Sequence, residues 1–516
     1  MTRHDVRGAV LCGSLLASVL FAVPLSAAFL QPDIAWAFRL VVVAVLIVSA
    51  LHPLSGALAL ALATPFAAAM ASSLGNVPAG AAIVDATLLA FVSGASLRLL
   101  WPQEEKSRLA GPALLLLAAI VTSTIVELRA LQAITPRHPL LPELWRHLTN
   151  DYWLATRDFV VVHHAVRWMA WLTAAVYIER AMRRRSWAGS PAVRLWIVAG
   201  TAGAAFAAIQ LIEIIGRGQV PAWETFVAVM RTVRFSALHP DVNAAGSYFA
   251  LFIVPAVIVG LRKRYVWMLL VSVPLLLLAF VIARSRAAVV AVVLVCCWAG
   301  AQNLIGCSST HARRILLRSG GIAAVALIGA VALVAMFQAT TRSHTSPNVA
   351  LRVRVEIAEV GIRTAQRYPV FGVGLGDYIR MTRRAITPDT PILFRYAPEG
   401  ENAHNNFLQI AVELGIPACL IFLWLVLPIA AAGLGSVTVP PTPELQGMGL
   451  GLLAFLITAI LGHPLLIAEV GAAFFVALGL SAGLTPSTNG HGPLWRRAIV
   501  AGGVAFYFLS LVWRMT

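Results

Sequence analysis

Apolar stretches near 20 residues recur from one end of the chain to the other, separated by short polar segments. A helix needs about 20 apolar residues to cross the hydrocarbon core of a bilayer. Segments near 8–30, 34–51, 54–73, 80–98, 109–127, 160–180, 194–215, 242–261, 265–283, 287–305, 319–337, 405–432, 446–465, 465–484 and 498–514 fit that requirement. The pattern predicts an all-α, polytopic integral membrane protein with about 12–15 transmembrane helices. Arg3 and Arg7 precede the first apolar stretch and "PLSAA" resembles a cleavage site. With so many spans following, the stretch reads as an uncleaved first helix.

The polar segments are not alike. Five short ones are basic: "RLLWPQEEKSR", "ERAMRRRSW", "RKR", "HARRILLR" and "LWRR". Alternating sides from a cytoplasmic N-terminus puts all five in the cytoplasm, as the positive-inside rule prefers. The same alternation puts 128–159, 216–241 and 338–404 outside, the last by far the longest. The chain thus divides into N-terminal spans over 1–337, a large periplasmic loop over 338–404 and C-terminal spans over 405–516. The loop carries nine arginines against six acids. Within it, "LRVRVEIAEVGIRTAQRYP" reads as a helix ended by Pro369, followed by the turn-rich "VFGVGLGD".

Composition agrees with this picture and removes some alternatives. The 516 residues are 59% hydrophobic and only 12% charged, with a mean hydropathy of +0.83. The formal charge is +17, and 37 of the 39 basic residues are arginine. Coding bias alone can produce that preference; so can a need to grip phosphates in a bidentate fashion. The charge is scattered between spans rather than gathered in a basic domain, which argues against a nucleic-acid partner. Five cysteines form no C-x-x-C pair, so neither a disulfide framework nor a zinc site is expected.

Three polar clusters stand where apolar spans begin or end. "ENAHNNFLQIAVELGIPA", residues 401–418, carries Glu401, Asn402, His404, Asn405 and Asn406 at the mouth of a span, then Gln409 and Glu413 further in. On a helix, Asn405, Gln409 and Glu413 form a polar stripe, and Gly415 and Pro417 loosen or kink it. The stripe is either a capped helix end satisfied by its neighbours or part of a site. "RFSALHPDVNAAGSYF", residues 234–249, sets Arg234, His239, Asp241 and Asn243 before another span, where Asp241 or Asn243 also serves as a helix N-cap. In "ARSRAAVVAV", Arg284 and Arg286 sit between two apolar runs with almost no loop. Such arginines snorkel, pair or bind an anion. All three clusters fall on the predicted outer face.

Familiar enzyme motifs are missing. There is no D-x-D, no G-x-S-x-G and no H-E-x-x-H, and "GVGLGD" lacks both the last glycine and the βαβ context of a dinucleotide site. However, "HNNFLQIAVELGIPA" is similar to the H-[NSQ]-x9-G-x-x-[GTY] signature of bacterial O-antigen ligases. His404, Asn405 and Gly415 match, and Ala418 departs. "RVEIAEVGIRTAQRYPVFGVGLGDY" resembles the P-x-x-G-x-G-x-G segment of the O-antigen ligase/polymerase superfamily, with Arg354 at the start of its helix. "RSRAAVV" resembles that family's R-x3-L element with Val290 for Leu, and "VRFSALHPDVNAAG" resembles its membrane-entry segment. The resemblance covers roughly residues 230–420, in order.

The resemblance implies a GT-C-like membrane glycosyltransferase at the inner membrane, with a glycan on undecaprenyl diphosphate as donor. The acceptor would be lipid A-core in a ligase, or a growing polysaccharide in a polymerase. No metal or cofactor is expected, so the leaving diphosphate would be met by fixed guanidinium groups. Arg234 and Arg286 are the first candidates, then Arg284 and Arg354. His404 would be the general base for an inverting transfer, oriented by Glu413 and Asn405. The competing class is a transporter of anions or lipid-linked glycans, which the long arginine-rich outer loop and the lack of repeat symmetry disfavour.

Overall fold

The computed structural model describes residues 3–31, 34–74, 80–98, 107–134, 139–153, 159–184, 189–217, 221–232, 241–305, 347–435, 441–486 and 494–515. Arg234, His239 and the apolar segment 319–337 lie outside the described residues. The described residues fold into helices without a strand. In chain order these are α1 (Arg3–Leu30), α2 (Trp36–Leu51), α3 (Pro53–Leu74), α4 (Gly80–Arg98), α5 (Ala110–Ile134), α6 (Leu140–Arg146), α7 (Val160–Arg184), α8 (Gly189–Gly216), α9 (Ala222–Thr232) and α10 (Val242–Lys263). They continue with α11 (Val273–Ala283), α12 (Arg286–Ile305), α13 (Pro347–Arg367), α14 (Tyr378–Arg383), α15 (Pro391–Tyr396), α16 (Asn406–Leu414), α17 (Ile416–Ala432), α18 (Pro443–Ile460), α19 (Ala468–Leu484) and α20 (Leu494–Met515).

Among the described residues, α5, α8, α10 and α18 are each long and apolar enough to cross a membrane, and nine further helices carry shorter apolar stretches. The chain is an all-α polytopic membrane protein. Between lipid-like surfaces the hydrophobic effect adds little, so helices associate where small residues let backbones approach. This bundle follows that rule. Gly447 and Gly451 of α18 lie against Pro255 of α10, Gly479 of α19 against the Ala175 backbone of α7, and Gly200 of α8 against Phe252. Trp196 stacks on that Phe252 at 4.3 Å.

The two ends of the bundle differ chemically. At one end Glu179, wholly buried on α7, accepts from the backbone N–H groups of Arg108 (2.8 Å) and Leu109 (3.2 Å) and from Arg183 Nε (3.0 Å). Arg183 also donates to the Ala482 carbonyl at 2.9 Å, and Arg262 donates to the Pro441 carbonyl at 2.7 Å. The ends of α7, α10 and α19 and the start of α5 therefore share this basic end. At the opposite end lie the segment 347–405, the starts of α7 and α10, and the 461–467 turn between α18 and α19. Just inside it, Arg167 of α7 grips Asp85 of α4 through bonds of 2.8 and 2.5 Å, the kind of partner an ionised group needs within a bundle.

The 347–404 region is itself helical. α13 ends two residues before Pro369, as its sequence predicts, and α15 is held to it by Glu356, which accepts from the Ile392 and Leu393 amides at 3.3 and 2.7 Å. The expected span 405–432 is two helices rather than one. The chain breaks at Gly415, whose φ of +91° and ψ of 161° suit no side chain. A Cβ there would stand 2.1 Å from the Val370 carbonyl oxygen. The amide of the next residue, Ile416, donates to the Pro369 carbonyl at 2.8 Å. The break is where the glycine-rich segment crosses.

Candidate active site

The three consecutive residues His404, Asn405 and Asn406 do three different things. Asn405 is the N-cap of α16: its Oδ1 accepts from the Phe407 and Leu408 amides at 2.9 and 3.1 Å. Asn406 is buried and ties down the 461–467 turn, donating its amide to the Gly462 carbonyl (3.1 Å) and accepting from the Leu465 amide (3.1 Å). That tether sets His463 beside His404, with ring centroids 4.9 Å apart. His404 itself has φ +48°, a left-handed conformation that costs an L-residue about 1–2 kcal/mol. Non-glycine residues held there cluster at functional sites. His404 Nε2 meets Glu401 Oε1 at 2.7 Å, with the histidine side chain 17% and the glutamate 42% exposed.

The titratable and charged groups around this pair come from three elements. Glu401 is held below its ordinary carboxylate range, chiefly by the His404 hydrogen bond and further by His463 and Arg354. His463 is pushed down mainly by burial and by its histidine neighbour and Arg354, against the pull of Asp241 and Glu401. Arg354 of α13, Asp241 at the head of α10 and His463 after α18 therefore share one electrostatic neighbourhood with the Glu401–His404 pair. A carboxylate bonded to one ring nitrogen keeps that nitrogen protonated in the neutral ring and leaves Nδ1 as the proton acceptor. The arrangement is that of a base with its orienting acid.

The polar stripe below His404 is satisfied from within. Gln409 accepts from the Ala403 amide at 3.1 Å and donates to Glu413 at 2.6 Å. Glu413 also takes the backbone amides of Gly376 and Tyr378. These bonds lock the glycine-rich segment, whose Val373 and Gly374 amides pair with the Val412 and Glu413 carbonyls, both at 2.9 Å. Gly372, Gly374 and Gly376 all have positive φ, and a Cβ on Gly372 would stand 2.3 Å from the Glu413 backbone. The carboxylate that touches His404 is thus Glu401, while Glu413 and Asn405 hold its helix.

The two arginines between α11 and α12 take opposite exposures. Arg284 is buried and caps α11 with φ +53°, whereas Arg286 opens α12 in solvent. Ser285 between them packs on Gly246, one turn into α10 from Asp241. Asp241, not Asn243, is the cap of α10, its Oδ1 accepting from the Ala244 amide at 2.7 Å. The start of α10 thereby links the arginine turn to the histidine pair.

Residues 271–423 match the model of the O-antigen ligase family. That match supports an assignment to the O-antigen ligase/polymerase family. No curated protein matches the chain. The family segment contains Arg284, Arg286, Arg354, Glu401, His404, Asn405 and Glu413. It ends before His463, which the sequence reading left inside the apolar run 446–465. The signal that marks His463 is "GHP", a turn of three residues between two apolar runs.

Proposed function

We propose that this membrane protein is a glycosyltransferase that moves a glycan from undecaprenyl diphosphate to an acceptor hydroxyl, with lipid A-core as the acceptor. The observation that carries the reading is the Glu401–His404 hydrogen bond within the family segment, at the end of the bundle opposite its basic loops. The positive-inside rule makes that end the periplasmic one, at the inner membrane. In one displacement the acceptor oxygen bonds to the anomeric carbon and the bond to the diphosphate oxygen breaks, inverting the centre. The hydroxyl proton passes to His404 Nδ1, and Glu401 stabilises the imidazolium that forms. Charge developing on the leaving diphosphate is met by guanidinium groups, Arg286 and Arg284 first, with Arg354 closer to the histidines and Arg234 as a further donor. Because these are planar two-pronged donors, lysine replacements would not substitute for them.

The polymerase reading shares donor, guanidinium groups and base, and differs in the hydroxyl that attacks. Ala418, where the ligase signature has Gly, Thr or Tyr, favours it; the His-Asn-x9-Gly spacing favours the ligase. A deletion strain separates them. A ligase leaves full-length polymer on undecaprenyl diphosphate and lipid A-core bare. A single repeat unit on lipid A-core means that polymerisation was lost and overturns the ligase reading. His404→Ala is expected to abolish transfer, by about 10²–10⁴-fold, while the protein still accumulates in the membrane. Transfer at the wild-type rate by that variant would refute the base, and would favour a carrier.

A further inference from the structure

His463 has no role in the reaction just described, yet the fold takes trouble to hold it. Asn406 is bonded to its turn twice, its backbone N–H donating to the Gly462 carbonyl and its side-chain Oδ1 accepting from the Leu465 amide. The 464–466 turn also packs against α10, whose cap Asp241 faces the ring electrostatically. The result is a second imidazole 4.9 Å from the first, tilted by 48°. Its Nδ1 is buried and has no hydrogen-bond partner among the described residues. A buried polar atom is normally paired, and leaving one unpaired is costly. An atom so placed next to a catalytic base points to a ligand.

The chemistry of the ring narrows the ligand. Burial, His404 and Arg354 all oppose a positive charge on His463, so it meets its partner as a neutral imidazole with one donor and one acceptor nitrogen. Such a ring is a weak anion ligand beside the arginines of this end, but it matches a hydroxyl, which both gives and accepts. Two imidazoles in ring contact address neighbouring positions. When His404 takes the proton from the attacking hydroxyl, the group within reach of His463 is the next hydroxyl on the same sugar ring.

We propose that His463 is an acceptor-positioning residue that hydrogen-bonds the hydroxyl vicinal to the nucleophile, so that the acceptor is a sugar bearing a vicinal diol. The proposal rests on the glycosyltransferase reading and adds a specificity to it.

The test uses purified full-length protein in lipid nanodiscs, undecaprenyl diphosphate-linked glycan as donor, and a synthetic pyranoside acceptor with each of its monodeoxy analogues. His463→Phe should raise the acceptor KM about tenfold, the loss of one hydrogen bond, with kcat within about twofold and donor KM unchanged. His463→Gln, which keeps a donor and an acceptor, should recover most of the loss. One monodeoxy acceptor should show the same rise in wild type and no further rise in His463→Phe, as coupled partners do. Additive losses, or a fall in kcat with acceptor KM unmoved, would overturn the proposal. The glutamine variant keeps the test decisive if the phenylalanine variant fails to accumulate. His404→Ala in the same assay separates the two readings. If it is inactive while the His463 variants behave as wild type, only the acceptor contact falls; if it transfers normally, both fall.

Discussion

Glu401→Gln removes a charge and little else, since the amide oxygen can still accept from His404 Nε2. The cost follows from the geometry. A unit charge about 4 Å from a newly formed imidazolium contributes about 1 kcal/mol in water and about 4 kcal/mol at the effective dielectric of a protein surface. Glu401 is 42% exposed and His404 only 17%, so the pair falls toward the lower end, at about 1–2 kcal/mol. That converts to a fall in kcat of about 5–30-fold, with both KM values unchanged because the charge is felt only once the proton has moved. The assay is initial-rate transfer from undecaprenyl diphosphate-linked glycan by purified protein, with His404→Ala and the double variant alongside. In the His404→Ala background Glu401→Gln should have no further effect. A wild-type kcat for the single variant, or the same loss in both backgrounds, would refute the pairing of acid and base.

Gly415→Ala should destabilise the protein by more than about 3 kcal/mol, seen as failure to accumulate or a collapsed Tm, because a Cβ would meet the Val370 carbonyl oxygen at 2.1 Å in a backbone region open only to glycine; near-wild-type stability would mean that the α16–α17 break is wrong. The Glu401 contribution to stability should depend on pH in a definite direction. Its folded pKa is depressed, so the contribution is present above the ordinary value of 4.5 and is lost as pH falls through the folded value. The Tm gap between wild type and Glu401→Gln should therefore be widest at neutral pH and close as pH falls below the ordinary carboxylate range; a gap that widens on acidification contradicts the sign. Cysteines at Glu399 and Arg184, in a background without native cysteines, should label oppositely with an impermeant reagent in intact cells, Glu399→Cys reacting and Arg184→Cys protected; labelling at Arg184 alone inverts the topology and moves the site to the cytoplasm.

The fold was legible because membrane helices announce themselves through length and composition. The boundaries were less so, and the differences have local causes. Residues 405–432 read as one apolar run because composition cannot see that Gly415 sits at φ +91° under a crossing segment. The runs 446–465 and 465–484 nearly touch in sequence, which hid the 461–467 turn. Asp241 and Asn243 were equally good caps by residue type, and only the bond to the Ala244 amide distinguishes them. Helix termination at Pro369 and the turns of "VFGVGLGD" were readable because proline and glycine act locally.

The candidate site was legible as a place rather than as a set of roles, and the reason is that polar residues at a membrane boundary serve two ends at once. Desolvation obliges each of them to find a partner, so a stripe such as Asn405, Gln409 and Glu413 looks catalytic from spacing alone. In the fold Asn405 caps a helix, Gln409 links its start to its middle and Glu413 fastens the glycine-rich segment. Removing those three duties leaves the groups that helix building does not require: Glu401 on His404, the unpaired nitrogen of His463, and Arg354 near both. Glu401 lies three residues before His404, but the two do not share a helix, and His404 meets it from a left-handed backbone position with φ +48°. His463 comes from 59 positions later and is tied to the pair through Asn406. A helical stripe can be read from a sequence because its period is local. A contact made through a second residue's hydrogen bonds has no period, and it is through such contacts that the reactive end of this bundle is assembled.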